Sequence, residues 1–140
     1  MAEAVLRHKV KQQGLDDKII VDSAGTGHWH VGEPPHRGTR AILKAQNINC
    51  EGLIARQIKP SDLVEFDYIL AMDEQNVRDL KRIAPAGTEH KIKLLLQFLP
   101  EAGNLNVPDP YFTGNFEEVY ELIDKSCEEL LKTIRSEIEG

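Results

Sequence analysis

Cysteine is scarce. Cys50 and Cys127 are the two present in 140 residues, too few for the disulfide framework that staples a small secreted domain. Neither stands in the Cys/His spacing of a zinc site, so reduced thiols and no metal are expected, and nothing calls for a cofactor. Long hydrophobic runs are also missing. No stretch is apolar for long enough to span a bilayer, and the first residues read as a polar helix and not as the apolar core of a signal peptide. Positive charge is in deficit, with 17 Lys and Arg against 23 Asp and Glu and a net charge of -6. That balance argues against a broad nucleic-acid or anionic-membrane surface, so the expectation is a cytoplasmic chain with no nucleic-acid and no membrane partner. Repeats, low-complexity segments and linkers are absent, and the length suits one domain over residues 1–140.

What is present alternates between helix and strand patterns. Residues 1–13 read as an amphipathic helix with Ala2, Val5, Leu6 and Val10 on one stripe, stopped by Gly14. The chain opens inside that helix, with no capping residue and no strand before it. Residues 18–22 form a short apolar run of the kind that fills a strand buried on both faces, and they empty into Ser23-Ala24-Gly25-Thr26-Gly27. A helix is expected over residues 38–46 with Ala41, Ile42 and Ala45 inward, and a short helical turn over residues 60–65. Residues 68–72 are a second buried strand, after which Asp73 caps a helix that carries Val77 and Leu80 on one face. Residues 92–96 are a third strand candidate whose second half is also compatible with helix. Asn115 caps the last helix, with Glu118 at its third position and Phe116, Val119, Ile123, Cys127, Leu130, Ile134 and Ile138 at three- and four-residue steps. Glu117, Glu121, Glu128 and Glu129 form its wet face. This order predicts an α/β fold, a small three-layer domain with a parallel sheet and helices on both faces. In such sheets the site lies beyond the carboxyl ends of the strands, where Ser23, Asp73 and residue 109 all fall.

One stretch stands out chemically. In Val107-Pro108-Asp109-Pro110-Tyr111-Phe112 a carboxylate is clamped between two prolines and followed by two aromatic rings. Pro108 fixes its own φ and Pro110 pushes Asp109 toward an extended conformation, so the acid sits on a stiff loop. The flat apolar neighbours suit an aromatic substrate and would raise the carboxyl pKa by partial desolvation. A plain surface turn, with Asp109 bonding nearby backbone, is the competing reading.

Met1-Ala2-Glu3-Ala4, Asp22-Ser23-Ala24-Gly25-Thr26, Gly32-Glu33-Pro34-Pro35, Ala55-Arg56-Gln57-Ile58, the run from Phe66 through Met72-Asp73, and Pro108-Asp109-Pro110-Tyr111 together resemble the low molecular weight protein-tyrosine phosphatases. The resemblance covers essentially the whole chain. It implies a small α/β fold, hydrolysis of phosphomonoesters through a phosphocysteine, and a proton donor in an Asp-Pro-Tyr loop, which falls on Asp109. Trp29 matches the aromatic position at the pocket mouth, while Tyr111 and Phe112 match the pair beside the acid. Phe112 replaces the family's usual Tyr and loses a hydroxyl. The implied substrates are phosphotyrosine-containing proteins or small aryl phosphates.

The family's Cys-x5-Arg-Ser-Pro phosphate loop and its central first strand come just before the residues that match Met1. The nucleophilic Cys and phosphate-binding Arg are therefore expected to lie upstream, making this a truncated, N-terminally incomplete domain that is inactive in isolation. A non-catalytic module that binds phosphotyrosine or a partner through Trp29, Tyr111 and Phe112 is the alternative. Arsenate reduction on a similar fold would need further redox cysteines, which Cys50 and Cys127 do not resemble.

Other residues carry weaker signals. Cys50-Glu51-Gly52-Leu53-Ile54-Ala55-Arg56 satisfies Cys-x5-Arg but offers an anion and two bulky aliphatics where a phosphate cradle needs small residues. It is read as a decoy, and Cys127 as a core residue. His28 and His30 flank Trp29 without a fixed third ligand. Trp29 is either a substrate contact or an anchor for its loop. Ser23 faces the presumed pocket and can bond the nucleophile loop, whereas Asp73 is equally a helix cap.

Overall fold

The computed structural model describes residues 1–26, 32–33, 36–50, 52–103, 105–108 and 114–139. Helix α1 (Ala2–Gln12) buries Ala4, Val5 and Val10. It ends where Gly14 takes φ +68°. The Leu15 amide there donates to the Val10 carbonyl at 2.9 Å and the Gly14 amide to the Lys11 carbonyl at 3.1 Å. These two bonds satisfy carbonyls that the helix leaves open, and the left-handed step they need is cheap for glycine. Helices α2 (Arg37–Ala45) and α3 (Pro60–Glu65) follow, then strand β1 (Ile69–Ala71), helix α4 (Glu74–Ile83), strand β2 (Ile92–Leu94) and the long helix α5 (Phe116–Glu139).

Strands β1 and β2 are parallel, with Ile69 opposite Ile92, Leu70 opposite Lys93 and Ala71 opposite Leu94. Parallel neighbours need a crossover, which α4 supplies. Successive side chains of β1 leave on opposite faces and serve two separate apolar clusters. Ile69 and Ala71 join Leu63 of α3, Leu80 of α4 and Leu94 of β2. Tyr68, Leu70 and Met72 pack instead on a cluster built from α1, α2 and α5, including Val5, Leu43, Ile123, Cys127 and Leu130. Helices therefore cover both faces of the sheet. Leu43, Leu63, Leu95, Leu96, Leu130 and Leu131 are all at or below 2% exposure. Each contributes about 1.5–3 kcal/mol by leaving water.

Three expectations are corrected and one is resolved. Residues 18–22 are not a strand, and Ile20 is 83% exposed. An apolar run becomes a strand only when a neighbour completes its ladder, and among the described residues β1 pairs with β2 and not with this run. In α2 the buried side chains are Thr39 and Leu43, one turn apart, while Ala41 and Ala45 are exposed. The branched Leu43 removes more apolar area from water than either alanine, and its helix is turned accordingly. Residues 92–96 resolve as the sequence allowed, into β2 followed by a 3-10 turn over Leu95–Phe98. Ile138, at the end of the α5 stripe, is 40% exposed because the last turn runs past the core. No helix among the described residues is long and apolar enough to cross a membrane.

Candidate active site

Four of the residues singled out for chemistry, Trp29, Asp109, Tyr111 and Phe112, lie outside the described residues. Their flanking segments do not. On the near side of Asp109, the Val107 amide donates to the Met72 carbonyl at 2.8 Å. The Glu74 amide donates to Asn106 Oδ1 at 2.8 Å. The approach to the acid is thus fastened to the carboxyl end of β1 and the first turn of α4. On the far side Asn115 caps α5: its Oδ1 accepts from the Glu118 amide at 3.4 Å, and its Nδ2 donates to the Glu118 carboxylate. The first bond is the N-cap half of the box that the Asn115/Glu118 spacing predicts, while the second joins the two side chains where the box would use the Asn115 backbone amide.

Asp73 is a helix cap. Its Oδ1 accepts from the Asn76 amide at 2.7 Å, while Asn76 Oδ1 accepts from the Met72 amide at 3.3 Å. The pair closes the turn between β1 and α4, where the first helical amides would otherwise lack acceptors.

Ser23 sits beside the start of α1. Its hydroxyl donates to Glu3 Oε1, and the Arg7 guanidinium pairs with the same carboxylate. Arg7 also reaches the Val21 carbonyl at 3.2 Å. Residues 21–23 are thereby held against the first turn of α1, the turn whose amides favour an anion. Met1, Met72 and Val107 all pack against one apolar cluster. The opening of α1, the end of β1 and the approach to Asp109 consequently share a single foundation.

Cys127 is not poised for attack. Cys127 is 1% exposed, and burial pushes its thiol up to about 12, so almost no thiolate exists near neutrality. Cys50 is half-buried and packs against the larger cluster. Arg56, the arginine of the Cys-x5-Arg spacing, is engaged elsewhere: Nη1 donates to Asp62 Oδ2 at 2.9 Å, Nη2 to Asp62 Oδ1 at 3.3 Å and Nε to Asp22 Oδ2 at 3.2 Å. The hydrogen bonds from Arg56 hold the Asp62 carboxyl below the usual carboxylate range. Among the described residues no three His, Cys, Asp or Glu side chains gather as a metal site requires.

Over residues 1–139 the sequence matches the family model described as low molecular weight phosphotyrosine protein phosphatase. The chain belongs to the low molecular weight protein-tyrosine phosphatase family. It is 47% identical over 137 residues to the low molecular weight protein-tyrosine-phosphatase YfkJ of Bacillus subtilis, a match covering 98% of this chain and 88% of that protein. The crystal structure of YfkJ superposes with a TM-score of 0.93, covering 97% of this chain and 86% of that one. A protein tyrosine phosphatase from Entamoeba histolytica is 31% identical with a TM-score of 0.90, covering 96% and 87% of the two chains. The drosophila arginine phosphatase DARP is 36% identical with a TM-score of 0.84, covering 95% and 87%.

Sequence reasoning missed the polar partners that organise this region, namely Glu3, Arg7, Asp22, Asp62, Asn76 and Asn106. A faint signal existed for Asp62, three residues beyond Lys59 with Pro60 at the first helical position. Its side chain accepts from the Lys59 amide at 2.8 Å, but lysine is not a residue that advertises a cap.

Proposed function

We propose that this single phosphatase-like domain acts in the cytoplasm, removing the phosphoryl group from phosphotyrosine through a phosphocysteine, with Asp109 as its general acid and base. A thiolate displaces the tyrosine oxygen from phosphorus, and Asp109 protonates the departing phenolate. The same carboxylate then takes a proton from water as that water attacks the phosphocysteine, releasing phosphate and free thiolate. Trp29, Tyr111 and Phe112 are the proposed apolar contacts of the substrate ring. Ser23 faces the nucleophile loop, and Asp73 supports the turn from which the acid loop departs.

The observation that carries this reading is the fastening of residues 106–107 to Met72 and Glu74, on the cluster that also receives Met1. It puts the acid's root and the opening of α1 on one base. The nucleophile is assigned to residues preceding Met1, because Arg56 is held by two carboxylates and Cys127 is buried. An acid contributes roughly 10²–10⁴-fold and does not replace the missing thiolate. The 140 residues alone are therefore expected to give no turnover of an aryl phosphate, whereas a polypeptide extended upstream through a Cys-x5-Arg loop is active and forms a trappable phosphocysteine. Clear turnover by pure, mass-verified 140-residue protein would overturn the upstream assignment. Phosphotyrosine binding without turnover by the extended chain would favour a binding module.

A further inference from the structure

The segment around Arg56 is bonded to both flanks of the loop that contains Trp29. On the near flank the Gly25 amide donates to the Arg56 carbonyl at 2.8 Å and the Ile58 amide to the Gly25 carbonyl at 2.8 Å, giving a parallel bridge between Gly25 and Gln57. On the far flank the Gly32 amide donates to the Ala55 carbonyl at 2.7 Å and the Ala55 amide to the Glu33 carbonyl at 2.8 Å. One extended strip thus receives the chain where it enters the loop and again where it leaves.

Apolar burial holds the two ends of that strip and not its middle. Leu53 is buried and Ile58 packs against the smaller cluster, but between them Ile54 is 63% exposed and Gln57 is exposed. Its side-chain anchor is Arg56, which is bidentate to Asp62 and reaches Asp22 with a third N–H. Isolated surface ion pairs contribute little, but Asp62 is 7% exposed and also accepts the Lys59 amide. A fork-to-carboxylate pair of this kind is directional and fixes orientation as well as distance. Asp22 directly precedes Ser23, so one guanidinium ties the strip forward to α3 and back to the chain entering the loop.

We infer that Arg56 is a positioning residue of the phosphatase site: through Asp62 and Asp22 it sets the placement of Gly25 and Gly32, the described residues on either side of the segment that carries Trp29. The functional half of this inference rests on the reading of Trp29 as a substrate contact. Arg56 touches no reacting atom. Its loss should weaken substrate binding more than the chemical step.

Amide hydrogen exchange on the 140-residue protein tests the clamp without any activity. In Arg56→Gln, exchange at Gly25, Gly32, Ala55 and Ile58 should accelerate about tenfold or more, with Leu130 and Leu131 of α5 unchanged. Arg56→Lys should recover part of the protection, since an ammonium keeps the charge but not the fork. Unchanged exchange at the four amides, or equal acceleration in α5, would overturn the clamp. In the active, upstream-extended enzyme, Arg56→Gln should raise KM about three- to tenfold while kcat stays within about twofold. An unchanged KM would overturn the positioning role, and Trp29→Ala locates the fault. If Trp29→Ala raises KM, Arg56 was wrongly assigned; if it too leaves KM unchanged, the loop is not a substrate contact.

Discussion

The imidazole of His36 lies parallel to the ring of Phe116, with centroids 5.3 Å apart and planes within 8° of each other. His36 is the N-cap of α2, accepting the Gly38 amide on Nδ1 at 3.1 Å, and Phe116 is the first residue of α5. The stack therefore joins the helix that follows the Trp29 segment to the helix that follows the Asp109 segment. Aromatic pairs of this kind contribute about 0.5–1.5 kcal/mol beyond the area they bury.

Gly38 makes the stack possible. A Cβ there would meet Phe116 ring carbons at 2.4 Å. Gly→Ala inside a helix ordinarily stabilises by about 0.5–1 kcal/mol, but here the methyl must drive the ring off His36, at an overpacking cost of about 1–3 kcal/mol. Gly38→Ala should lower the unfolding midpoint in thermal denaturation. A rise would mean that Phe116 swings aside freely and that the two helix starts are not coupled through it.

The two thiols should separate cleanly in a labelling experiment. With iodoacetamide near neutral pH, half-buried Cys50 is expected to react in the folded protein, while Cys127 reacts only once the chain unfolds. Mass spectrometry of the labelled peptides gives the order. In a polypeptide extended through the proposed upstream loop, Cys50→Ser should leave the phosphatase activity unchanged, and its complete loss would make the Cys-x5-Arg spacing catalytic after all.

Acid should weaken the Arg56 clamp in a definite direction. Because the folded-state pKa of Asp62 is depressed by Arg56, its contribution is fully present above the unfolded carboxyl value of about 4 and is lost as pH falls through the lower folded value. Urea unfolding followed from pH 7 downward should show a steeper acid limb in the wild type than in Asp62→Asn. Parallel limbs would contradict the pairing.

The alkaline limb has its own marker. The Tyr68 hydroxyl donates to the Glu137 carboxylate, and burial followed by that partner raises the phenol to about 12. A raised acid favours the protonated form in the folded state, so this contribution is present below about pH 10 and is lost between there and pH 12. Tyr68→Phe should flatten stability over that window, measured by chemical denaturation. An unchanged slope would show that the bond between Tyr68, just before β1, and the end of α5 does not persist in solution.

Local rules read the helices well because their signals are local. The Gly14 stop, the Asp73 cap, the Asn115 cap on the Glu118 amide and the α5 stripe from Val119 to Ile134 each depend on residues a few positions apart. Residues 18–22 were misread because periodicity reports apolarity and not whether a ladder partner lies alongside. The clamp of Arg56 on Asp62 and Asp22 was invisible for a related reason. Asp22 is remote in sequence, and its contact exists only once Gly25 and Gln57 are bridged. The acid reading of Asp109 rests on sequence chemistry and the family resemblance, since the residue itself lies outside the described residues.

The most direct measurement is the leaving-group dependence of Asp109→Ala, made in a polypeptide extended through the proposed upstream Cys-x5-Arg loop. Tyrosine leaves as a phenolate whose conjugate acid has a pKa near ~10 and needs a proton as the bond to phosphorus breaks. Phosphotyrosine hydrolysis should therefore slow by roughly 10²–10⁴-fold, and an aryl phosphate with a strongly acidic phenol should slow far less. Equal slowing of both esters would contradict the assignment of Asp109 as the proton donor.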